Sequence, residues 1–357
     1  MTAPALVVTP DPTHLLAATP PSLTSEEAAL LAREHFAVAG QIEPLAGERD
    51  RNFRVTGVDG SATVLKIANA AEEPGLGAFQ QAALQHVATS DPSLPIPRVC
   101  LTRAGAVEAH VTLANGSRHS LRMVTYLPGI LLSTGASSLA QAHAIGDKLA
   151  ALGAALSDFD HPNASHDILW DLEQAPSLRP LLVHIARPDH RDRARTVLDR
   201  YEDVVRPRAS TFRRQVIHND CNPSNILVDP ADPTRLAGIL DFGDMVRTAL
   251  VHDLAVAAAY HVGSGDFLGR PLAMAAGYHG RVPLRPEEID SLFDLIALRL
   301  VFTLTIGAWR ADLHPENKDY VLRHQARAAA ALEQLGAINP ADGARRFRDV
   351  CSLGSDA

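Results

Sequence analysis

Apolar residues along this 357-residue chain recur with two different periods, and the change between them falls at Pro128-Gly129. Before that point the alternation is mostly that of strands. Thr24 followed by Glu27 is a capping-box pattern, and EEAALLAREHF brings Ala28, Leu31 and Phe36 near one face of a short opening helix. Three strands follow, around 41–46, 51–58 and 61–68, with turns at Gly47 and Asp59-Gly60, which predicts an antiparallel meander. GLGAFQQAALQHVA, residues 75–88, reads as a helix, and SLPIPRVCLT leads into two further strands around 107–113 and 117–126. The expectation for this half is a small lobe of five antiparallel strands with one internal helix.

From Ser138 the pattern turns to alanine- and leucine-rich helical periods, as in SLAQAHAIGDKLAALGAALSDF. Further helices are predicted around 188–208, 251–262, 265–279, 286–311 and 316–335. One β-hairpin interrupts them, with strands NILV at 225–228 and RLAGILDF at 235–242 around an Asp-Pro-Ala-Asp-Pro turn. The predicted fold class is therefore α+β with two lobes. An irregular arm, residues 1–23, carries five prolines and packs on the body; residues 24–127 form the N-terminal lobe, and residues 128–357 a larger, mainly helical lobe.

Composition narrows the partners. With 46% hydrophobic residues the chain can bury a sizeable core, and a net charge of -8 offers no broad positive field for nucleic acid or an anionic membrane. A cationic or zwitterionic partner fits better. Cys100, Cys221 and Cys351 are odd in number and widely spaced, so neither a disulfide framework nor a zinc cluster is expected, and a reducing, cytoplasmic setting is. The N-terminal residues lack a basic region followed by a long apolar run, and no later stretch reads as the eighteen or so apolar residues of a membrane span.

The strongest chemical signal is HNDCNPSN, residues 218–225, followed by the hairpin and then LDFGD at 240–244. In the pattern H-x-D-x-x-x-x-N the aspartate, here Asp220, can accept a hydroxyl proton, while the asparagine five residues on, Asn225, turns back towards a metal ion. Asp241, opening D-F-G at the end of a strand, can bridge Mg2+ to a triphosphate. Taken singly, Asp220 could cap a turn and Asp241 could end a strand. Their order and spacing together favour phosphoryl transfer.

HNDCNPSNILVD and GILDFGD resemble the aminoglycoside phosphotransferase and choline kinase superfamily, relatives of the protein kinases. GERDRNF at 47–53, RRQVIHND at 213–220 and LDFGDMVRTALVHDLAVAAAY at 240–260 resemble its hydroxylysine-kinase-like branch, and the similarity extends over residues 25–335. The resemblance implies a protein-kinase-like bilobal fold and a kinase that moves the γ-phosphate of ATP or GTP, with Mg2+, to a hydroxyl of an amino alcohol or hydroxy amino acid. It implies Lys66 of VLKIA as the amine on the α and β phosphates, and a phosphate-covering turn LAGERDRNF in which Arg49 and Asn52 are the expected donor contacts. It also implies a hinge at MVTYLPG, where backbone groups of Thr125, Tyr126 and Leu127 meet the purine. Relatives commonly pair the lysine with a glutamate on the following helix; here FQQAALQHV offers Gln80, with Glu72 and Glu73 the nearest acids.

Around this centre the remaining residues divide between support and acceptor recognition. His218 is expected to brace the loop, Cys221 to pack as a small side chain, and Asp253 in HDLA to support the loop from a helix start. No H-E-x-x-H or comparable pattern argues for zinc. Asp244, with Asp171 as a second acid, suits an acceptor amine; Arg247 or Arg310 suits a carboxylate; Trp170 and Trp309 suit an aromatic wall. An aminoglycoside-type antibiotic phosphotransferase and a non-catalytic nucleotide-binding module are the alternatives.

Overall fold

A computed structural model of the chain describes residues 18–47, 49–134, 138–263, 266–315 and 322–352. The opening helix α1, Ser25–Phe36, begins with the expected reciprocal cap: Glu27 N donates to Thr24 Oγ1 at 3.2 Å and Thr24 N to Glu27 Oε2 at 2.8 Å. Strands β1 (Gly40–Leu45), β2 (Arg51–Gly57) and β3 (Ala62–Ile67) form the antiparallel meander. Helix α2, Leu76–Ser90, follows, then β4 (Val99–Cys100), β5 (Ala109–Thr112) and β6 (Arg118–Thr125). The sheet thus has six strands, in the order β1-β2-β3-β6-β4 with β5 also on β6. The sixth is the two-residue β4, which lies inside the apolar, proline-bearing segment SLPIPRVCLT and is too short for an alternation signal. The core of this lobe packs Ala28, Ala32 and Phe36 of α1 on Phe53, Leu65, Ile67 and Leu121 of the sheet.

The arm's residues 1–17 lie outside the described residues. Its remainder packs on this lobe: Leu23 joins the core, and the Thr19 carbonyl accepts from Asn69 Nδ2 at 2.9 Å.

The larger lobe opens with β7 (Ile130–Leu131) and α3 (Leu139–Ala155), whose N-cap Ser138 accepts from Gln141 N. A 3-10 segment, Leu172–His184, contains Pro176 and Pro180 and is not signalled by any helical period. Helix α4, Pro188–Arg200, continues through a π turn and a 3-10 turn to Thr211. The hairpin strands β9 (Ile226–Val228) and β10 (Leu236–Ile239) pair antiparallel, with β7 on the other side of β9. A second ladder, unforeseen in the sequence, joins β8 (Arg214–Ile217) to β11 (Val246–Ala249). The helices α5 (Leu250–Ala259), α6 (Gly269–Arg281), α7 (Pro286–Leu313), α8 (Gln325–Gly336) and α9 (Pro340–Ser352) complete the chain. The helix expected from 316 starts at Gln325, with residues 316–321 outside the described set, and α9 is a helix the sequence does not announce.

One sequence expectation fails in α7. This helix holds an eighteen-residue window of mean hydropathy 1.7, long and apolar enough to cross a membrane. In the fold, 78% of that window is buried as the central helix of the lobe. Helices α3 and α6 approach so closely that a Cβ on Gly146 would lie 1.9 Å from the Met274 carbonyl oxygen, and one on Gly277 2.1 Å from that of His143. A third apolar cluster joins the lobes, setting Leu76, Phe79 and Leu84 of α2 against Leu152, Phe159, Val216 and Phe242. The larger lobe is therefore held to α2 by apolar burial beneath the cleft that both lobes line.

Candidate active site

The loop between β8 and β9 carries HNDCNPSN, and its shape is set from behind. Asp253 on α5 is buried and accepts from the backbone amides of His218 (3.3 Å) and Asn219 (2.8 Å). Asn219 is thereby held at φ 63°, a left-handed conformation that asparagine tolerates better than most residues. His218 Nδ1 accepts from Asp220 N at 3.3 Å, so its Nε2 carries the hydrogen donated to the Leu240 carbonyl at 2.9 Å. Its ring meets Phe242 edge-on at 4.9 Å. His218 is thus a brace between the loop and the D-F-G turn, and Cys221 is a buried thiol in the core.

Both oxygens of Asp220 are engaged. Oδ2 accepts from Asn225 Nδ2 (2.8 Å) and Asn222 Nδ2 (3.1 Å), and Oδ1 faces Arg299 NH2 at 3.3 Å. Burial first, and the neighbouring Asp244 carboxylate second, raise its carboxyl to about 7; Arg299 and the Asn222 bond pull the other way. In the same cleft Asp241 sits at φ 56°, caps the short turn after it by accepting from Gly243 N, and lies 3.6 Å from Lys66 Nζ. Lys66 is the main cause, ahead of Arg49, that holds the Asp241 carboxyl down at about 2. The two aspartates of the sequence motif are therefore in opposite electrostatic states, one poised to take a proton and one fixed as an anion.

Sheet register explains the donor side. Asn52 on β2 pairs with Lys66 on β3, and Lys66 pairs with Arg122 on β6, so three side chains form one row across the sheet. Arg122 is wholly buried. It donates to Gln80 Oε1 (2.9 Å) and Glu72 Oε1 (2.8 Å), and lies 3.9 Å from Asp50 Oδ2. Gln80 is thus the partner of Arg122, and among the described residues the acid paired with Lys66 is Asp241. Among the described residues Asn52 Oδ1 is buried without a hydrogen-bond partner in the same cleft.

Arg49 and Asp244, assigned in the sequence to phosphate and acceptor amine respectively, meet each other at 2.6 Å. That proximity to Asp244 is the chief reason the Arg49 guanidinium holds its proton more tightly than usual. The pair sits against Gly243, where a Cβ would stand 3.2 Å from Arg49 NH2 and 3.0 Å from Asp241 Oδ1. At the hinge the amides of Thr125 and Tyr126 already donate to the Arg98 and Ala62 carbonyls. Of the three expected residues, only Leu127 keeps an amide without a bond among the described residues.

The acceptor residues scatter. Trp170 lines the cleft and stacks on Arg299, whose guanidinium lies 4.6 Å from its ring centroid. Trp309, by contrast, is buried in the core of the larger lobe, so the two tryptophans make no wall. Arg247 is turned to Asp160 at 2.6 Å, away from the cleft, and Arg310 is buried on α7 outside it. Asp171 is likewise structural, accepting from Thr248 Oγ1 and from Glu173 N. Arg299 was missed in the sequence; its signal is a lone arginine inside the apolar run LIALRLVF, which cannot be buried there without partners. It also donates to Tyr260 OH at 3.2 Å and the Trp170 carbonyl at 3.3 Å.

Among the described residues no three His, Cys, Asp or Glu side chains group as metal ligands. The donor set instead suits Mg2+ carried by phosphates: Asp241 is held ionised, and Asn225 uses only its Nδ2 within the loop.

Comparison with known proteins agrees with this geometry. The sequence profile of the phosphotransferase enzyme family matches residues 41–289. Hydroxylysine kinase of Mus musculus is 29% identical over 339 residues, 88% of this chain and 90% of that protein; the Bos taurus protein is 28% identical over 89% and 91%. Among solved structures, an amicoumacin kinase in complex with AMP-PNP and Ca2+ superposes with a TM-score of 0.65 at 15% identity, covering 87% of this chain and 94% of its own. A microcompartment-associated aminopropanol kinase gives 0.63 at 19% identity, over 87% and 97%. The fold is theirs, and since the matched segment runs from β1 into α7 and takes in both sides of the cleft, this chain belongs to the phosphotransferase enzyme family.

Proposed function

We propose that this kinase transfers the γ-phosphate of ATP or GTP to a hydroxyl of an amino alcohol or hydroxy amino acid of the hydroxylysine kind, with Asp220 as the base. One observation carries the reading: Asp220 is poised near neutrality in the same cleft in which Lys66 fixes Asp241 as an anion. In this reading residues 24–127 hold the donor, with Lys66 and Arg49 on its phosphates, Asn52 beside them and the Leu127 amide on the purine. Residues 128–357 supply the loop and the acceptor side. Asn225 and Asp241 would hold Mg2+, which neutralises charge on the phosphates.

The acceptor oxygen attacks the γ-phosphorus, the bond from that phosphorus to the β-bridging oxygen breaks, and the nucleoside diphosphate leaves. The acceptor's proton passes to an Asp220 oxygen late in the step, when oxygen acidity has risen. The names of the hydroxylysine kinases and of the aminopropanol kinase support an acceptor in which an amine neighbours the hydroxyl. The odd number and wide spacing of Cys100, Cys221 and Cys351 favour a reducing, cytoplasmic setting for the reaction. A panel of hydroxylated amines and amino acids, offered with ATP and with GTP, tests the reading through nucleoside diphosphate release above acceptor-free hydrolysis. Release that depends on such an acceptor is expected; a panel with none contradicts it.

A further inference from the structure

Beside the catalytic loop, a second pocket is lined by Ser133, Pro223, Tyr260, Thr303, His324 and Arg327. Pro223 lies in the loop itself. Tyr260 links the pocket to the base, because its hydroxyl accepts from the same Arg299 NH2 that faces Asp220. The pocket is therefore joined, through Arg299, to the point where an acceptor hydroxyl must meet Asp220.

Its charge is opposite to what an amine-binding groove would carry. Arg327 is exposed at the rim and, among the described residues, makes no ion pair. Arg270, at the start of α6, spends its Nε on the His261 carbonyl at 3.2 Å and, among the described residues, likewise meets no carboxylate. These two arginines lie close enough that each disfavours charge on its surroundings. Partial burial and then Arg270 push the Arg327 guanidinium below its ordinary value, and buried His261, next to both, is driven down to about 3. A guanidinium on the wall of a pocket that, among the described residues, offers it no carboxylate is a place for an anion to bind.

We infer that this pocket is an acceptor subsite in which Arg327 binds a carboxylate, so that the preferred acceptor is a hydroxy amino acid rather than a simple amino alcohol. The inference rests on the kinase reading, since it takes the acceptor hydroxyl to be held at Asp220, which the pocket reaches through Tyr260 and Arg299. It also sets this site apart from a polycation groove: an aminoglycoside would bring further positive charge to a rim that already lacks a counter-ion.

Paired ligands that differ only by the carboxylate test it. Binding of 5-hydroxylysine against 1,5-diaminopentan-2-ol, and of threonine against 1-aminopropan-2-ol, is measured with Mg2+ and a non-hydrolysable ATP analogue present, for the full chain and for Arg327→Ala and Arg327→Lys. At least one amino acid is expected to bind at least about tenfold more tightly than its carboxylate-free partner. Arg327→Ala removes that preference while leaving the partner's affinity unchanged, and Arg327→Lys restores part of it. Equal binding within both pairs, no binding of any member, or a loss in Arg327→Ala shared by both members of a pair would each overturn the subsite. Carboxylate-dependent binding without phosphoryl transfer to any member would instead keep the subsite and overturn the kinase reading.

Discussion

Asp220 is pulled in two directions by its neighbours. Burial and the carboxylate of Asp244 favour its protonated form, while Arg299, wedged between Trp170 and Tyr260, favours the anion. Its raised value means the base is ionised, and competent, only as pH rises through about 7, so the acidic limb of kcat/KM for the free enzyme is expected near neutrality. Arg299→Met moves that limb to higher pH and lowers kcat/KM at neutral pH by about tenfold or more, whereas Arg299→Lys keeps the charge and moves it less. A limb that stays in place in Arg299→Met contradicts this tuning. The same shift has a stability sign. A carboxyl raised in the folded state adds stability that is fully present below its unfolded value of 3.8 and is lost as pH rises through the folded value of about 7. Relative to wild type, Asp220→Asn should therefore gain melting temperature as pH rises from about 4 to about 7, and hold the gain above that window.

Among the elements, the strands and helices with clear periods are legible in the sequence, and so are the loop bearing Asp220 and Asn225 and the D-F-G turn opened by Asp241. What escaped was set by tertiary pairing. Strand β4 has two residues, the β8–β11 ladder joins segments far apart in the chain, and the 3-10 segment at Leu172–His184 has no helical period of its own. Gln80 in place of a glutamate leaves Lys66 without an evident partner in the sequence; register places Arg122 beside Lys66 and turns Gln80 to Arg122. Arg122 and Arg299 each stand alone in apolar segments, which signals burial but not the partner. The α3–α6 crossing gives a test at this scale. Gly146→Ala forces a Cβ against the Met274 backbone and is expected to cost at least about 2 kcal/mol in denaturant unfolding. Gly280→Ala, an exposed position with nothing within 4 Å, should be neutral or gain up to about 1 kcal/mol. Similar effects at both positions would mean that the helices are not in backbone contact.

For the molecule as a whole, the cleft is a meeting of opposed charges carried by different lobes: Arg49 and Lys66 from the smaller, Asp244 and Asp241 from the larger. A triphosphate with Mg2+ supplies both signs and can take up each pair. Chelating divalent cations is accordingly expected to abolish transfer, and Asp241→Asn to raise the Mg2+ concentration for half-maximal rate by about tenfold or more, read from initial rates. The central claim is that Asp220 accepts the proton while the opposite wall only holds the donor. It is tested most directly by incubating the chain with γ-phosphate-labelled ATP and 5-hydroxylysine and following the label. Wild type should pass the label to the acceptor hydroxyl, and Asp220→Asn should do so about 10²–10⁴ times more slowly while binding ATP as before. Label transferred by Asp220→Asn at the wild-type rate would contradict the account.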